Sequence, residues 1–202
     1  KINTFLAILT GDIHMTNFEQ AFNHIDEYIN LKMRGDNIPG VVISLTDKNN
    51  TLRVAAYGYA NLDKNIPVTE DTLFELASIS KSFVSIALLH ELDTGRLDLH
   101  KPISEYLPWF EIKTKYDPIT VHHLLSHTAG IVEGADIESN GMFSSWALRH
   151  TNTAWPPGSN YYYSNVGFKL LAVLLENLSG KSLQETIQSH ILDPLEMTST
   201  HA

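Results

Sequence analysis

The chain has 202 residues, 43% of them hydrophobic and 18% charged, an ordinary globular composition that can bury roughly 70% of the unfolded chain's surface without covalent staples. The absence of cysteine excludes disulfide frameworks, thiol nucleophiles and cysteine-ligated metal sites. Fourteen Lys and Arg against 23 Asp and Glu leave a net charge of -9, which argues against nucleic acid and anionic membrane as partners, and no apolar stretch reaches the ~18–20 residues of a membrane span.

Residues 1–15 read as a leader of uncertain role, since the apolar run from Phe5 to Leu9 is too short for a signal-peptide core. Thr16-Asn17-Phe18-Glu19 has the pattern of a capping box. Phe18, Phe22, Ile25, Ile29 and Met33 follow at helical spacing, and Gly35 and Pro39-Gly40 are expected to end that helix. Two strands, 41–46 and 52–59, should form a hairpin about Asp47-Lys48-Asn49-Asn50. A polar loop containing Pro67 then leads to a long helix starting near Ser78, buried through Phe83, Ile86, Ala87, Leu89 and Leu92 and closed by Gly95. Glu91, Asp93 and Asp98 read as a solvated face. Residues 96–120 are expected to be loops and short turns, broken by Pro102, Pro108 and Pro118, with Thr120 capping a short helix over 121–125. The stretch 131–160 reads as irregular. After Asn165 an apolar helix runs through Leu170, Leu171, Val173, Leu174 and Leu175 to Gly180, and Ser182 with Glu185 caps a last helix that continues to Pro194.

Ser78-Ile79-Ser80-Lys81 places a hydroxyl and an amine three residues apart at a helix start. Side chains at i and i+3 share a face, so the lysine can reach the serine and help remove its proton, and the positive end of the helix favours developing negative charge. The same residues also read as a capping serine followed by a surface lysine. Three Tyr-x-Asn triplets could supply a proton-shuttling phenol and a substrate-binding amide: Tyr28-Ile29-Asn30, Tyr59-Ala60-Asn61 and Tyr163-Ser164-Asn165. Spacing alone does not choose among them. His123 and His127 are four apart, as two zinc ligands on one helix would be, but no H-E-x-x-H accompanies them and no third ligand is evident, so neither metal nor cofactor is expected. Tyr161, Tyr162 and Tyr163 with Trp155 are candidates for a substrate-facing surface, and Trp109 and Trp146 are equally candidates for packing.

An ordered set of segments resembles the serine β-lactamase-related family, which includes class C β-lactamases, D-alanyl-D-alanine carboxypeptidases and related esterases. They are Pro39-Gly40-Val41-Val42, Tyr57-Gly58-Tyr59-Ala60, Leu73 through Phe83, Gly95-Arg96-Leu97-Asp98-Leu99, Ile103 through Pro108, Ile119 through Gly130, Pro157-Gly158 with Tyr163-Ser164-Asn165, and Pro194 through Thr198. The resemblance covers residues 38–202. It implies Ser78 as the acyl-accepting nucleophile and Lys81 as its activating partner. Tyr163 would assist proton transfer to the leaving group, Asn165 would bind substrate, and the Ser78 N–H would be half of an oxyanion hole. No glutamate stands in the E-x-x-L-N setting of class A β-lactamases, which favours the other branches. The family's third motif, Lys or His followed by Thr or Ser and then Gly, is absent, and Leu9-Thr10-Gly11 is the nearest triplet.

The expected fold is therefore α/β plus all-α, a β-lactamase/transpeptidase-like fold with an antiparallel sheet and helices packed against a helical region, incomplete at its C-terminus. Residues 16–82 would be the N-terminal part of the α/β region, 83–175 the helical region and 176–202 a return towards the sheet, with the active site between the two parts. The expected function is hydrolysis of amide, lactam or ester carbonyls through a Ser78 acyl-enzyme. The alternative is a penicillin-binding or catalytically silent homologue that serves as a sensor or interaction module. A small-molecule or peptide substrate is the expected partner, together with a C-terminal fragment or second chain that completes the fold. Family resemblance points to an extracytoplasmic setting.

Overall fold

The computed structural model describes residues 12–132 and 140–201, and the chain divides into two compact units, Lys1–Phe74 and Glu75–Ala202. Leu9-Thr10-Gly11 and most of the leader lie outside the described residues. Among the described residues no helix is long and apolar enough to cross a membrane.

The first unit opens with helix α1, Asp12–Asp36. It starts upstream of Thr16, so the expected N-cap lies inside the helix. Asp12-Ile13-His14-Met15 offers neither proline nor glycine to stop it. The far end also differs from expectation. Gly35 stays helical, and Asn37 turns left-handed at φ 54, which lets the Ile38 N–H reach the Met33 carbonyl at 3.0 Å. Phe22, Ile25, Ile29 and Met33 are half-buried along the expected face.

Strands β1, Gly40–Thr46, and β2, Thr51–Asn61, pair antiparallel with Val42 opposite Ala56. Their turn is held by the Asp47 carboxylate, which accepts the N–H groups of Asn49 and Asn50 at 2.7 Å each. The loop expected before residue 73 contains a two-residue strand, β3, Ile66–Pro67, which extends the sheet to the order β1-β2-β3. Proline brings no donor, so the link beside it is made by Val68 N–H to Gly58 O at 3.0 Å. Gly58 has φ 72, and a Cβ there would fall 2.2 Å from the Pro39 carbonyl oxygen, so the crossing of the two segments requires glycine. Asp26 ties α1 to β2. Its carboxylate accepts Arg53 Nη2 at 2.7 and 2.8 Å and the Tyr57 hydroxyl, and the Arg53 hydrogen bond leads in holding that carboxyl below the usual range.

The second unit is helical. A 3-10 turn, Ala77–Ile79, runs into α2, Ser80–Asp93; then come α3, Ile103–Tyr106, and α4, Val121–Leu125. After residue 140 follow α5, Gly141–Ala147, with a 3-10 turn Leu148–His150, then α6, Asn165–Ser179, α7, Leu183–Ile187, and a π turn Gln188–Leu192. The core gathers Leu88, Ile103, Leu107, Val121, Leu124, Leu148, Ile187 and Leu192 about α6, whose Leu170, Leu171, Leu174 and Leu175 are completely inaccessible. Side chains of this size are worth roughly 1.5–3 kcal/mol each on burial, so α6 is the axis of the unit.

Three expectations need correcting here. The buried stripe of α2 is Val84, Ala87, Leu88 and Glu91, whereas Ile86 and Leu89 are 52% and 44% exposed. The stripe is helical in period, but its last member is a carboxylate that an apolar count passes over. Glu91 is thus not part of a solvated face: it is completely buried and receives Arg96 Nε on Oε2 at 2.5 Å. Finally, 131–160 is not irregular throughout. Helix α5 lies within it, capped by Asn140 Oδ1 on the Phe143 N–H at 2.8 Å. It buries Ser144 and Ser145 while Met142, Phe143 and Trp146 stay exposed, the reverse of an ordinary amphipathic face.

Candidate active site

The site is built from two segments of the second unit, 85 residues apart. Leu76 is right-handed, but Ala77 turns to φ 45, a left-handed conformation that costs a non-glycine residue roughly 1–2 kcal/mol. Ser78 follows inside the 3-10 turn with its side chain exposed, and Lys81 is the second residue of α2. The i, i+3 geometry therefore spans the junction of a 3-10 turn and an α-helix, and it works: Lys81 Nζ donates to Ser78 Oγ at 3.2 Å.

Tyr163 arrives from the other segment. Its hydroxyl donates to the same Ser78 Oγ at 2.6 Å, and Lys81 Nζ also stands 4.8 Å from the centre of the Tyr163 ring and 5.8 Å from that of Phe168. The hydrogen bond with Lys81, then that with Ser78, draws the phenol below the usual tyrosine value, because a nearby cation favours the phenolate. Tyr163 leads into α6, where the Ser164 hydroxyl accepts the Gly167 N–H at 3.1 Å as N-cap. Asn165, the first residue of α6, is exposed. Of the four residues expected at the site, the structure brings three to one oxygen and leaves Asn165 on the adjoining surface. Tyr28 lies in α1 and Tyr59 in β2, and the tyrosine hydrogen-bonded to Ser78 is Tyr163.

His123 and His127 do not form a helical ligand pair. The α4 helix ends at Leu125, and His127 takes φ 58 beyond it, so the i, i+4 register is broken. His123 Nδ1 accepts the Thr120 N–H at 3.2 Å, closing a capping box at the start of α4. His127 has different neighbours: its Nδ1 accepts the Ser164 N–H at 3.1 Å, and its ring centre lies 4.6 Å from that of Tyr163. By sequence, His127 stands out only as a possible zinc ligand beside His123. Its place beside the last Tyr-x-Asn triplet depends on a contact across 37 residues, and no local spacing carries that signal. Tyr161 and Tyr162 are 67% and 46% exposed, with Trp155 edge-on to Tyr162 at 6.2 Å. Trp109 packs partly against the core, and Trp146 is exposed on α5 under the Arg149 guanidinium. A separate apolar hollow lined by Leu76, Phe83, Val84, Leu183, Ile187 and Leu192 has neither Lys81 nor Tyr163 on its wall.

The family model described as Beta-lactamase matches residues 23–202, and the chain belongs to that family. Protein flp of Staphylococcus aureus (strain MW2) is 29% identical over 195 residues, which is 92% of this chain and 39% of flp. A beta-lactamase of Escherichia coli (strain K12) is 31% identical over 166 residues, 81% of this chain and 43% of that protein. The chain thus spans well under half the length of these curated relatives. Among solved structures, the octameric penicillin-binding protein homologue from Pyrococcus abyssi superposes with a TM-score of 0.76 at 28% identity, over 87% of this chain and 43% of the other. FmtA from Staphylococcus aureus, at 22% identity and a TM-score of 0.75, covers 88% of this chain and 49% of its own, and shares the fold. An antiparallel sheet with its helix and a separate helical unit are accordingly parts of the β-lactamase/transpeptidase fold, and the family places the chain in a serine-hydrolase superfamily.

Proposed function

We propose that this chain carries the nucleophilic half of a serine-hydrolase centre acting on amide, lactam or ester carbonyls through an acyl-enzyme. The observation that carries the reading is the convergence of Lys81 Nζ and the Tyr163 hydroxyl on Ser78 Oγ, at 3.2 and 2.6 Å. Two groups that can hold or move a proton meet one primary hydroxyl, the arrangement an activated serine needs.

In this reading Ser78 Oγ attacks the carbonyl carbon while its proton passes to Tyr163, whose phenolate form Lys81 favours. The carbonyl oxygen takes the negative charge, and the Ser78 N–H is one donor towards it. Collapse breaks the bond to the leaving nitrogen or oxygen, which receives the proton from Tyr163, and the acyl group remains on Ser78 as an ester. Water then attacks that ester, its proton enters the same pair, and Ser78 recovers its hydrogen as the acid departs. Asn165 is proposed to hold a substrate amide from its exposed place at the start of α6.

The test is mass analysis of the full-length protein after incubation with a penicillin and, separately, an activated ester. An adduct mapped to Ser78, or ester turnover that disappears in Ser78→Ala, supports the assignment. Persistence of the penicillin adduct indicates a non-turnover penicillin-binding protein, and its release indicates a hydrolase. Turnover undiminished in Ser78→Ala would overturn the reading.

A further inference from the structure

We propose that His127 is a positioning residue for Tyr163, a clamp that holds the phenol on Ser78 only while its imidazole is neutral; the inference rests on the Ser78 and Tyr163 roles given above. His127 grips the main chain on both sides of Tyr163. Its carbonyl accepts the Tyr162 N–H at 2.8 Å, and its Nδ1 accepts the Ser164 N–H at 3.1 Å. Between these two bonds the Tyr163 ring lies against the imidazole, 4.6 Å between centres and tilted 35°. Phe168 at 5.0 Å and Tyr161 edge-on at 5.8 Å enclose the imidazole further. His127 holds φ 58, a strained choice for a non-glycine residue that persists where neighbours over-determine it.

An Nδ1 that accepts a backbone N–H fixes the ring as neutral, with its proton on Nε2. Protonation would set a second N–H against that of Ser164 and place a cation beside Lys81. The groups that face the imidazole are Lys81 from the start of α2, Tyr161 and Tyr163 from the segment before α6, and Phe168 from α6 itself. Burial and then the Lys81 charge push the imidazole below the ordinary histidine value. The clamp is therefore closed at neutral pH and opens as the pH falls through a value lower than that of free histidine. Tyr163, freed on its Ser164 side, would then leave Ser78, and a misplacement of about 1 Å is worth roughly 100-fold in rate.

Two substitutions separate the clamp from general structure. His127→Gly removes the imidazole and is at ease at positive φ, and His127→Asn restores an acceptor near the Nδ1 position and tolerates the same backbone. In the full-length protein, Ser78 acylation should slow about 100-fold in His127→Gly with little change in KM, and His127→Asn should recover most of the rate and lose the acid limb of the pH profile. Imidazole nitrogen NMR should show the Nε2–H tautomer at neutral pH, and the Ser164 amide should lose exchange protection in His127→Gly. Those last two readouts need no catalysis, so they survive a failure of the Ser78 assignment. An Nδ1–H tautomer, an unchanged rate in His127→Gly, or an acid limb retained in His127→Asn would overturn the proposal.

Discussion

Arg96→Ala should destabilise the protein by about 2–3 kcal/mol at neutral pH, and the deficit should shrink on acidification. Glu91 has no exposed surface; its Oε2 receives Arg96 Nε at 2.5 Å, and its Oε1 has no hydrogen-bond partner. Removing the partner of a fully buried ion typically costs about 3–5 kcal/mol. The Arg96 side chain is 51% exposed, so its loss admits water to one side of the carboxylate and moves the expected cost below that range. The backbone bond from Arg96 N–H to Glu91 O, part of the closing turn about Gly95, survives the change. The hydrogen bond from Arg96 is the largest influence holding the Glu91 carboxyl below its usual value, opposed by burial and helped by the charges of Arg96, His190 and His90. A carboxyl lowered in the folded state contributes stability above its unfolded pKa and loses it as the pH falls through the folded value. In the variant burial remains without Arg96, so the carboxyl rises and protonation relieves it. Urea unfolding near pH 7 and near pH 4.5 reads both arms, and adding Glu91→Gln to Arg96→Ala should recover part of the loss. A difference under about 0.5 kcal/mol at pH 7, or one that grows on acidification, would refute the reasoning.

Tyr163→Phe keeps the ring beside His127 and Lys81 but deletes the hydroxyl on Ser78, so acylation should fall about 10²–10⁴-fold while thermal stability holds. Rapid-mixing acylation kinetics check it, and a wild-type rate would remove Tyr163 from the proton path. Ala77→Gly releases the φ 45 strain but adds unfolded-state freedom of about the same size, so stability should change by less than about 1 kcal/mol while Ser78 acylation slows. Calorimetry beside the same kinetics tests it, and an unchanged rate would show that the turn does not position the serine. His123 is held below its usual value by burial first and then by His122 and His100, and its Nδ1 must stay unprotonated to close the cap on Thr120. A histidine lowered in the fold favours the neutral state, so its stability contribution is present at neutral pH and is lost as the pH falls below about 6.5. Melting between pH 7.5 and 5.5 should fall less steeply in His123→Gln than in the wild type, and parallel curves would exclude this contribution.

What the sequence made legible was governed by local rules. Thr120 and Ser182 announce their caps because the side chain and the N–H it serves are three residues apart, and Gly95 announces the end of α2 because only a left-handed residue closes that turn comfortably. The i, i+3 spacing puts Lys81 within reach of Ser78 but equally suits a capping serine and a surface lysine, so it is the resemblance of the ordered segments that singles out that pair, and Tyr163 over Tyr28 and Tyr59. Elsewhere the pattern and the physics diverged. Helix α5 was missed because it turns two serines to the core and three large apolar side chains outward, so periodicity reports the wrong face. Glu91 was misread because a carboxylate at the end of a buried stripe looks solvated until its cation is placed. Asn37 was passed over for Gly35, since asparagine also tolerates the left-handed turn and the choice is made by the chain that follows.

The contact between Ser78 and Tyr163 is the least local of these features, and its cause lies in the core rather than in the site. Tyr163 stands two residues before α6, which is fixed by side chains buried on nearly every side, and α2, which carries Lys81 in its first turn, presents Leu88 to the same core. Ser164 links the two scales. Its hydroxyl accepts from Gly167 at the start of α6, and its N–H is accepted by His127. Rotating the peptide to withdraw Tyr163 breaks one of these bonds or both, so the phenol inherits the rigidity of the helix. Substitutions that loosen the junction, at Ser164 or His127, should therefore reduce the rate of acylation more than the binding of substrate, whereas changes at Asn165, exposed and beyond the junction, should act mainly on binding.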